Sequence, residues 1–187
     1  MRVRWGIICL YMSARRARYQ FGGASRVSAE AIGEPGKRTF RLLVASGQAT
    51  AALWLEKEQL YQLAIFIQET IASLNAAEPR KGKPGEPHQE QEWAGPPTSV
   101  EFKVGKLALG HDPSRDAFLF IAHDVEEEEG GPAALTFWTS REQAEVLADE
   151  SLKACAAGRP LCPLCHQPMG PDGHVCPRSN GHGAIQA

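Results

Sequence analysis

The C-terminal tail, residues 158–187, places the strongest constraint on how this chain can fold. It spaces Cys162 and Cys165 as a C-x-x-C pair and then adds His174, Cys176 and His182. Gly, Pro and Asn leave the tail too poor in apolar residues to bury a core of its own. A structural zinc ion takes four ligands in a tetrahedron, brought in as two close pairs of cysteine or histidine. The tail is therefore predicted to fold around zinc, as a zinc ribbon.

The predicted zinc ligands are three thiolates and one imidazole: Cys162, Cys165, Cys176 and either His174 or His182. His174 is favoured because it lies two residues before Cys176 and can share one turn with it. His182 follows an Asn-Gly turn that could swing it back toward the metal. Four protein ligands form a closed shell, whereas catalytic zinc keeps an open position. The predicted site is therefore structural.

Composition limits the classes of function that this chain can serve. Its 187 residues, 43% hydrophobic and 22% charged, are typical of one globular domain with small appendages. A net charge of −2 and a pI near 6.3 provide no basis for binding nucleic acid or an anionic membrane by charge. Five cysteines that include a C-x-x-C pair indicate metal binding in a reducing, cytoplasmic compartment rather than disulfides.

Residues 1–18 are predicted to be a loose N-terminal extension. Their apolar run is far shorter than the roughly 20 residues that span a bilayer. No small-residue cleavage motif follows it, since arginines come next in the chain. Met12 is the alternative start of translation.

The body of the chain is predicted to be two similar halves, residues 19–75 and 100–157, joined by a Pro- and Gly-rich linker loop over 76–99. Each half has strands with alternating apolar residues, then a strand bearing Trp54 or Trp138, then a helix that begins near Gln59 or Gln143. The two sets match at one constant offset, which indicates an internal duplication. The predicted fold class is α+β: an antiparallel sheet of two strand-strand-strand-helix repeats packed with two helices, plus the zinc ribbon.

The two predicted helices differ in their patterns. The first, from about residue 57 to 74, has one apolar stripe that Tyr61, Ile65 and Phe66 widen, which predicts a helix buried on most sides. The second begins after Ser140, and Gln143 stands three residues on, as a capping box requires.

A second candidate site lies in the body. The turn around Lys37 and Arg38 is rich in Gly, so backbone N–H groups beside two cations could hold an anion. Glu56 and Glu58, at the start of the first helix, are the predicted acidic groups of the same ligand-binding site. A hairpin turn with a solvated lysine, and carboxylates that complement the helix dipole, are the simpler alternatives.

The chain resembles a bacterial family catalogued as domain of unknown function 3090. The resemblance rests on AIGEPGKRTF (31–40), LEKEQ (55–59), VGKLALG (104–110), FWTSREQA (137–144) and the cysteine-containing stretch 158–182. It covers nearly the whole chain from Tyr19 onward and leaves residues 1–18 outside. Many members of the family have Tyr where His182 stands, which favours His174 as the fourth ligand. The resemblance implies no activity.

Two functions remain open at this point. The first is a non-enzymatic adaptor that binds an unknown protein partner, with the zinc ribbon as a rigid structural element. The second is an enzyme or binding protein for an anionic small molecule, with a pocket between the two halves near Arg38. Binding to membranes or nucleic acid is not expected.

Overall fold

The computed structural model describes residues 16–34, 36–77, 91–128 and 130–157, together with Leu164 and the backbone of 174–175 and 184–185. The strands of the body are β1 Tyr19–Gly23, β2 Arg26–Ile32, β3 Thr39–Ser46, β4 Ala49–Leu55, β5 Thr98–Asp112, β6 Ala117–Asp124 and β7 Leu135–Ser140. The helices are α1 Lys57–Ala77 and α2 Arg141–Ala156, and the tail contributes β8 His174–Val175 and β9 Ala184–Ile185. The predicted α+β class is confirmed.

The main sheet has seven strands in the order β1-β7-β6-β5-β4-β3-β2. The prediction of a purely antiparallel sheet is wrong, because β4 pairs with β5 in parallel and β1 pairs with β7 in parallel. Helix α1 and the segment after it connect β4 to β5. A connection of that length returns the chain to the same end of the sheet, so that β5 enters parallel to β4.

The sheet bends until its two ends meet. Strands β1 and β2 stand at opposite ends of the strand order, yet only Ala24 and Ser25 separate them. The backbone N–H of Ala24 donates to the carbonyl of Trp138 on β7, at 2.8 Å, and that of Ser25 donates to Ala45 on β3, at 2.9 Å. Two consecutive residues, Ala24 and Ser25, therefore connect the β7 side of the sheet with the β3 side.

The two helices lie side by side and antiparallel over the core. Arg141, at the start of α2, donates to Asn75 near the end of α1, and Cys155, near the end of α2, contacts the Lys57 carbonyl at the start of α1. The core beneath them includes a stacked pair, Phe120 and Phe137, whose ring centroids are 4.6 Å apart. No helix within the described ranges is long and apolar enough to cross a membrane.

Helix α2 also protects the free edge of β2. The N–H of Ala29, which faces away from β3, donates to the Glu150 carboxylate at 3.1 Å. Sheet edges with unpaired N–H groups invite intermolecular pairing, and this contact uses one of them.

The prediction that α1 is buried on most sides is wrong. Its stripe of Leu60, Ala64 and Ile67 is fully buried, but Tyr61 is 41% and Phe66 45% exposed. These two aromatic side chains point outward because the sheet and α2 cover only one side of the helix, among the residues that the structure describes.

The end of the predicted linker is fixed to the body through a buried serine. Ser46 Oγ lies 2.6 Å from the carbonyls of Phe21 and Gly23, and accepts a hydrogen bond from the N–H of Trp93 at 2.9 Å. The Trp93 ring packs against Phe21, with centroids 5.8 Å apart. Gly22 permits this close approach: a Cβ there would lie 2.0 Å from the carbonyl oxygen of Gln91.

Candidate functional site

A cavity of about 530 Å³ opens where the two ends of the sheet meet. Its wall comes from the β1–β2 link, the segment before β5, the β5–β6 turn, the end of β7 and the first turn of α2. The lining residues are Gly23, Ala24, Ser25, Gln91, Glu92, Arg115, Asp116, Ala117, Trp138, Thr139, Ser140, Glu142 and Gln143. A volume of this size is typical of sites for small organic ligands.

The β5–β6 turn holds Arg115, which lines the cavity, in a fixed place. Asp112 organises this turn: its carboxylate accepts from the Ser114 N–H at 2.9 Å and its carbonyl from the Arg115 N–H at 3.2 Å. The Arg115 Nε then lies 3.4 Å from the Asp112 carboxylate. The guanidinium stands 5.1 Å from the centroid of the Trp138 ring, at cation–π distance.

Asp116 adds a carboxylate beside this arginine. Its backbone adopts φ +45°, in the left-handed region that few residues other than Gly occupy. Its Oδ1 lies 3.2 Å from His111 Nε2 and 3.8 Å from Arg141 Nη1. Arg141 is only 9% exposed and donates its other amino group to Asn75 at 2.7 Å. The Asp116 carboxylate is thus held by His111 at the end of β5 and, through Arg141, by the end of α1.

The first turn of α2 is locked by the predicted capping box, which is confirmed. The Gln143 N–H donates to Ser140 Oγ at 3.2 Å, and the Ser140 N–H donates to Gln143 Oε1 at 2.9 Å. The Gln143 amide also donates to the carbonyl of Ala24 at 2.9 Å. The helix start is therefore fastened to the β1–β2 link, and both elements line the cavity.

Glu92 supplies another carboxylate from the chain segment that enters β5. Its Oε2 accepts from the Gly47 N–H in the β3–β4 turn, at 2.9 Å. The neighbouring Gln91 carbonyl accepts from the Gly23 N–H at 3.1 Å. Glu92 could not be predicted from the sequence because it lies in a polar stretch with no periodic pattern, and only the fold brings it to the end of β1.

The predicted anion-binding residues Lys37 and Arg38 lie in the β2–β3 turn, away from this cavity's wall. The turn is closed by the Lys37 N–H, which donates to the Glu34 carbonyl at 2.9 Å, and Gly36 has φ +94°. Arg38 donates to the carbonyl of Ala157, just past the end of α2. A cation at this place complements the helix dipole.

Glu56 and Glu58 lie at the start of α1, where each has a partner from the protein. Glu56 pairs with Lys103 at 2.8 Å, and Glu58 accepts from Gln62 one turn on, also at 2.8 Å. The last turn of α2 contacts both Arg38 and the Lys57 carbonyl, so the four predicted residues lie around the same end of the helix pair. Their binding of an anion stays a prediction.

The predicted zinc ligands fall mostly beyond the described residues. Cys162, Cys165 and Cys176 lie outside them, while the backbone of His174 is in β8 and pairs with Ile185 of β9. Within the described ranges no three His, Cys, Asp or Glu side chains are grouped as a metal site would require. The cysteine of the body, Cys155, is buried on α2, and this burial raises the pKa of its thiol.

Comparison with known proteins places the chain in a family without adding an activity. No curated protein and no solved structure matches the chain. A family model described as "Protein of unknown function (DUF3090)" matches residues 19–176, which include the whole sheet, both helices and the first part of the tail. The chain therefore belongs to this family of proteins of unknown function.

Proposed function

We propose that this protein is a non-enzymatic adaptor that binds a protein partner through the outward surface of α1. The observation that supports this proposal is the exposure of two aromatic side chains, Tyr61 at 41% and Phe66 at 45%, with the half-buried Ile65 between them. Exposed aromatic and aliphatic side chains that lie together are typical of protein-binding surfaces. We call Tyr61, Ile65 and Phe66 the α1 surface.

The charges around the α1 surface indicate the chemistry of the partner. The exposed carboxylates Glu58 and Glu69 of α1 and Glu145 and Asp149 of α2 outnumber the exposed lysines of these helices, Lys57 and Lys153. Asp149 accepts a hydrogen bond from Gln68, at 3.4 Å, which places it beside α1. An apolar centre with an acidic border complements a partner segment that carries apolar residues flanked by Lys or Arg. Long-range attraction of that kind accelerates association and weakens with salt.

Affinity capture from a bacterial lysate tests this proposal if it compares matched baits. Wild type is compared with Phe66→Ser and Tyr61→Ser, and with Val146→Ser, which removes an apolar side chain that is 55% exposed from α2. The proposal predicts a partner that Val146→Ser retains and that both α1 variants lose, at a bait stability equal to wild type. A partner retained by both α1 variants would refute the assignment of this surface.

We further propose that a structural zinc ion holds the tail through Cys162, Cys165, His174 and Cys176. The support comes from the soft thiolate ligands, the C-x-x-C spacing and the pairing of β8 with β9 beside the second half of the ligand set. A bound ion supplies the folding energy that a Gly- and Pro-rich tail lacks. Because thiolate ligands need reducing conditions, the same proposal places the protein in the cytoplasm.

Metal analysis tests the zinc proposal directly. Freshly purified wild type is expected to contain about one equivalent of zinc, and Cys162→Ser and Cys176→Ser markedly less. Cys9→Ser, which changes a cysteine far from the tail in the sequence, serves as the control and should keep its zinc. Equal zinc in His174→Ala and wild type, with loss in His182→Ala, would move the fourth ligand to His182.

We also infer that the two halves are copies of one ancestral unit. Gln59 and Gln143 support this inference, because the side chain of each accepts from the N–H of the residue before its helix (Glu56 and Ser140). Each also donates to backbone carbonyls of the other half, Gln59 at the register shift in β5 and Gln143 at the β1–β2 link.

A further inference from the structure

We propose that the protein partner binds as an extended peptide segment, which adds to β5 as an extra strand along residues 106–112. We call the side of these residues that faces away from β6 the β5 edge. This binding mode rests on the proposed adaptor function, which makes the occupant a protein, and on the strand pairing, which fixes the place. Strand addition to an open sheet edge is a recurrent mode of peptide recognition, in which main-chain hydrogen bonds supply the affinity.

The β5 edge is open because β5 extends beyond its neighbour β4. Strand β4 pairs with residues 98–103 of β5 and ends at Leu55, where the chain leaves the sheet to form α1. Residues 104–112 pair with β6 on their other side, and alternate residues of such an antiparallel pair direct their N–H and C=O groups outward. Among the residues that the structure describes, no strand pairs with the β5 edge and none hydrogen-bonds to the outward backbone groups of 106–111.

The composition of the β5 edge does little to prevent pairing with another strand. Natural proteins commonly blunt a free edge with proline, with charged residues or with a covering helix. The free edge of β2 is protected in this way by α2, whose Glu150 accepts from the Ala29 N–H. Residues 107–110 of β5 are Leu-Ala-Leu-Gly, without proline or charge, and all four are half-buried. This stretch is therefore a template for an added strand.

Helix α1 borders the β5 edge and runs in the same direction. At the start of the helix, Gln59 donates to the Val104 carbonyl at 3.2 Å, just before the edge begins. Near its end, Asn75 is tied through Arg141 to Asp116, which lies in the turn that follows β5. The two ends of α1 therefore lie near the two ends of the β5 edge.

The exposed ring of Phe66 lies on the side of α1 that faces this edge. Phe66 follows Gln59 by seven residues, which is two helical turns, so both side chains share one face of the helix. Gln59 reaches the backbone of β5 from that face, and Phe66 is 45% exposed beside it. Alternate side chains of an added strand point to the α1 side of the sheet, where they can pack on this ring.

Glu69 indicates the charge of the occupant. It follows Phe66 by three residues, so the two side chains are neighbours on the helix surface. Glu69 is exposed, and no cation pairs with it among the residues that the structure describes. A Lys or Arg at the end of the occupant near residue 112 would pair with this carboxylate. In the more stable antiparallel pairing that end is the N-terminal one, followed by apolar side chains at alternate positions.

Blocked synthetic peptides test the β5 edge before any partner is identified. The probe is acetyl-Lys-Val-Thr-Val-Thr-Val-Thr-amide, and its control has proline in place of the central valine. In an NMR titration of the full-length protein, the probe should shift the amide signals of residues 106–112 with a Kd of about 1 mM or tighter. Solvent exchange of alternate amides in this stretch should slow on binding, as new main-chain hydrogen bonds require.

The proline peptide should bind at least about tenfold more weakly, because proline lacks an N–H and disrupts an added strand. Replacement of the lysine of the probe by glutamate should also weaken binding, since that carboxylate would face Glu69. No shift of residues 106–112 by the probe, or equal binding of the proline peptide, would overturn the proposal.

Matched protein variants test the contribution of α1 to the same site. Phe66→Ser should raise the Kd of the probe about tenfold, whereas Val146→Ser, on α2, should change it less than about twofold. Both side chains are exposed, so thermal denaturation should show that the two variants are as stable as wild type. Equal affinity of wild type and Phe66→Ser would refute the placement of the added strand beside α1.

Two further results separate strand addition from the adaptor function itself. A captured protein that depends on Phe66 but leaves the exchange of residues 106–112 unchanged would refute strand addition and leave the adaptor function standing. A free protein that sediments as a dimer and already protects these amides would show that a second copy fills the edge, and this too would overturn the proposal.

Discussion

Replacement of Ser46 by alanine should destabilise the fold far more than the loss of one surface hydroxyl. Ser46 is fully buried, and its Oγ lies between two carbonyl groups, of Phe21 and Gly23, and the N–H of Trp93. Alanine removes all of these bonds and cannot replace any of them. A buried polar group left without a partner costs about 1–3 kcal/mol; the Phe21 contact is buried and the Trp93 contact is partly buried, so the expected loss is about 2–4 kcal/mol.

Urea unfolding measures this loss, with Ser99→Ala as the control. Ser99 is exposed, and its hydroxyl is 3.5 Å from that of Thr50, so its replacement should cost less than about 0.5 kcal/mol. The urea midpoint of Ser46→Ala should fall by about 1–2 M at an unchanged slope. Hydrogen exchange of the Gly23 amide, which donates to the Gln91 carbonyl, should accelerate in the same variant. A midpoint equal to that of Ser99→Ala would refute the role given to the Ser46 hydroxyl.

Three further predictions concern stability. Gln143→Ala breaks bonds that hold the start of α2 to the β1–β2 link, and Gln59→Ala breaks bonds that hold the start of α1 to β5. Thermal denaturation should show a loss of about 1–2 kcal/mol of stability in either variant. A loss in only one of them would contradict the matched roles of the two glutamines. Gly22→Ala places a Cβ against the Gln91 carbonyl at φ +68° and should lower the stability measured by urea unfolding by about 2–4 kcal/mol. Gly130→Ala, at φ +89° in open space, should lower it by only about 1 kcal/mol. Equal losses in the two variants would contradict the close approach of Gly22 to Gln91. Burial raises the pKa of the Cys155 thiol, so the thiol ionises first in the unfolded chain, and stability should fall as pH rises above the ordinary thiol pKa of about 8.5. Cys155→Ala should remove that part of the pH dependence. Identical profiles of stability against pH in the variant and the wild type would contradict this role of Cys155.

Local patterns were sufficient to predict much of the body. The alternation of Phe40, Leu42 and Val44 predicts one buried face of β3, and all three side chains are buried. Ser140 and Gln143 form the predicted capping box because that motif depends only on residues three apart. Features of this kind are encoded within a few residues, and their outcome does not depend on the rest of the fold.

Features that depend on distant contacts could not be predicted in the same way. The parallel pairing of β4 with β5 follows from where the chain returns after α1, and no single-strand pattern records it. The outward position of Phe66 depends on which side of α1 the sheet covers. The cavity joins Glu92, Asp116 and Glu142, which come from three separate parts of the sequence and meet only because the sheet bends until its ends join.

Hydrogen–deuterium exchange on the complex with a captured partner tests the proposed adaptor function most directly. Binding through the α1 surface predicts slower exchange of the backbone amides of residues 58–69 in the complex than in the free protein. Phe66→Ser, at the same partner concentration, should show the exchange of the free protein. Protection confined to another part of the chain, with α1 unchanged, would contradict the proposal that this helix is the contact surface.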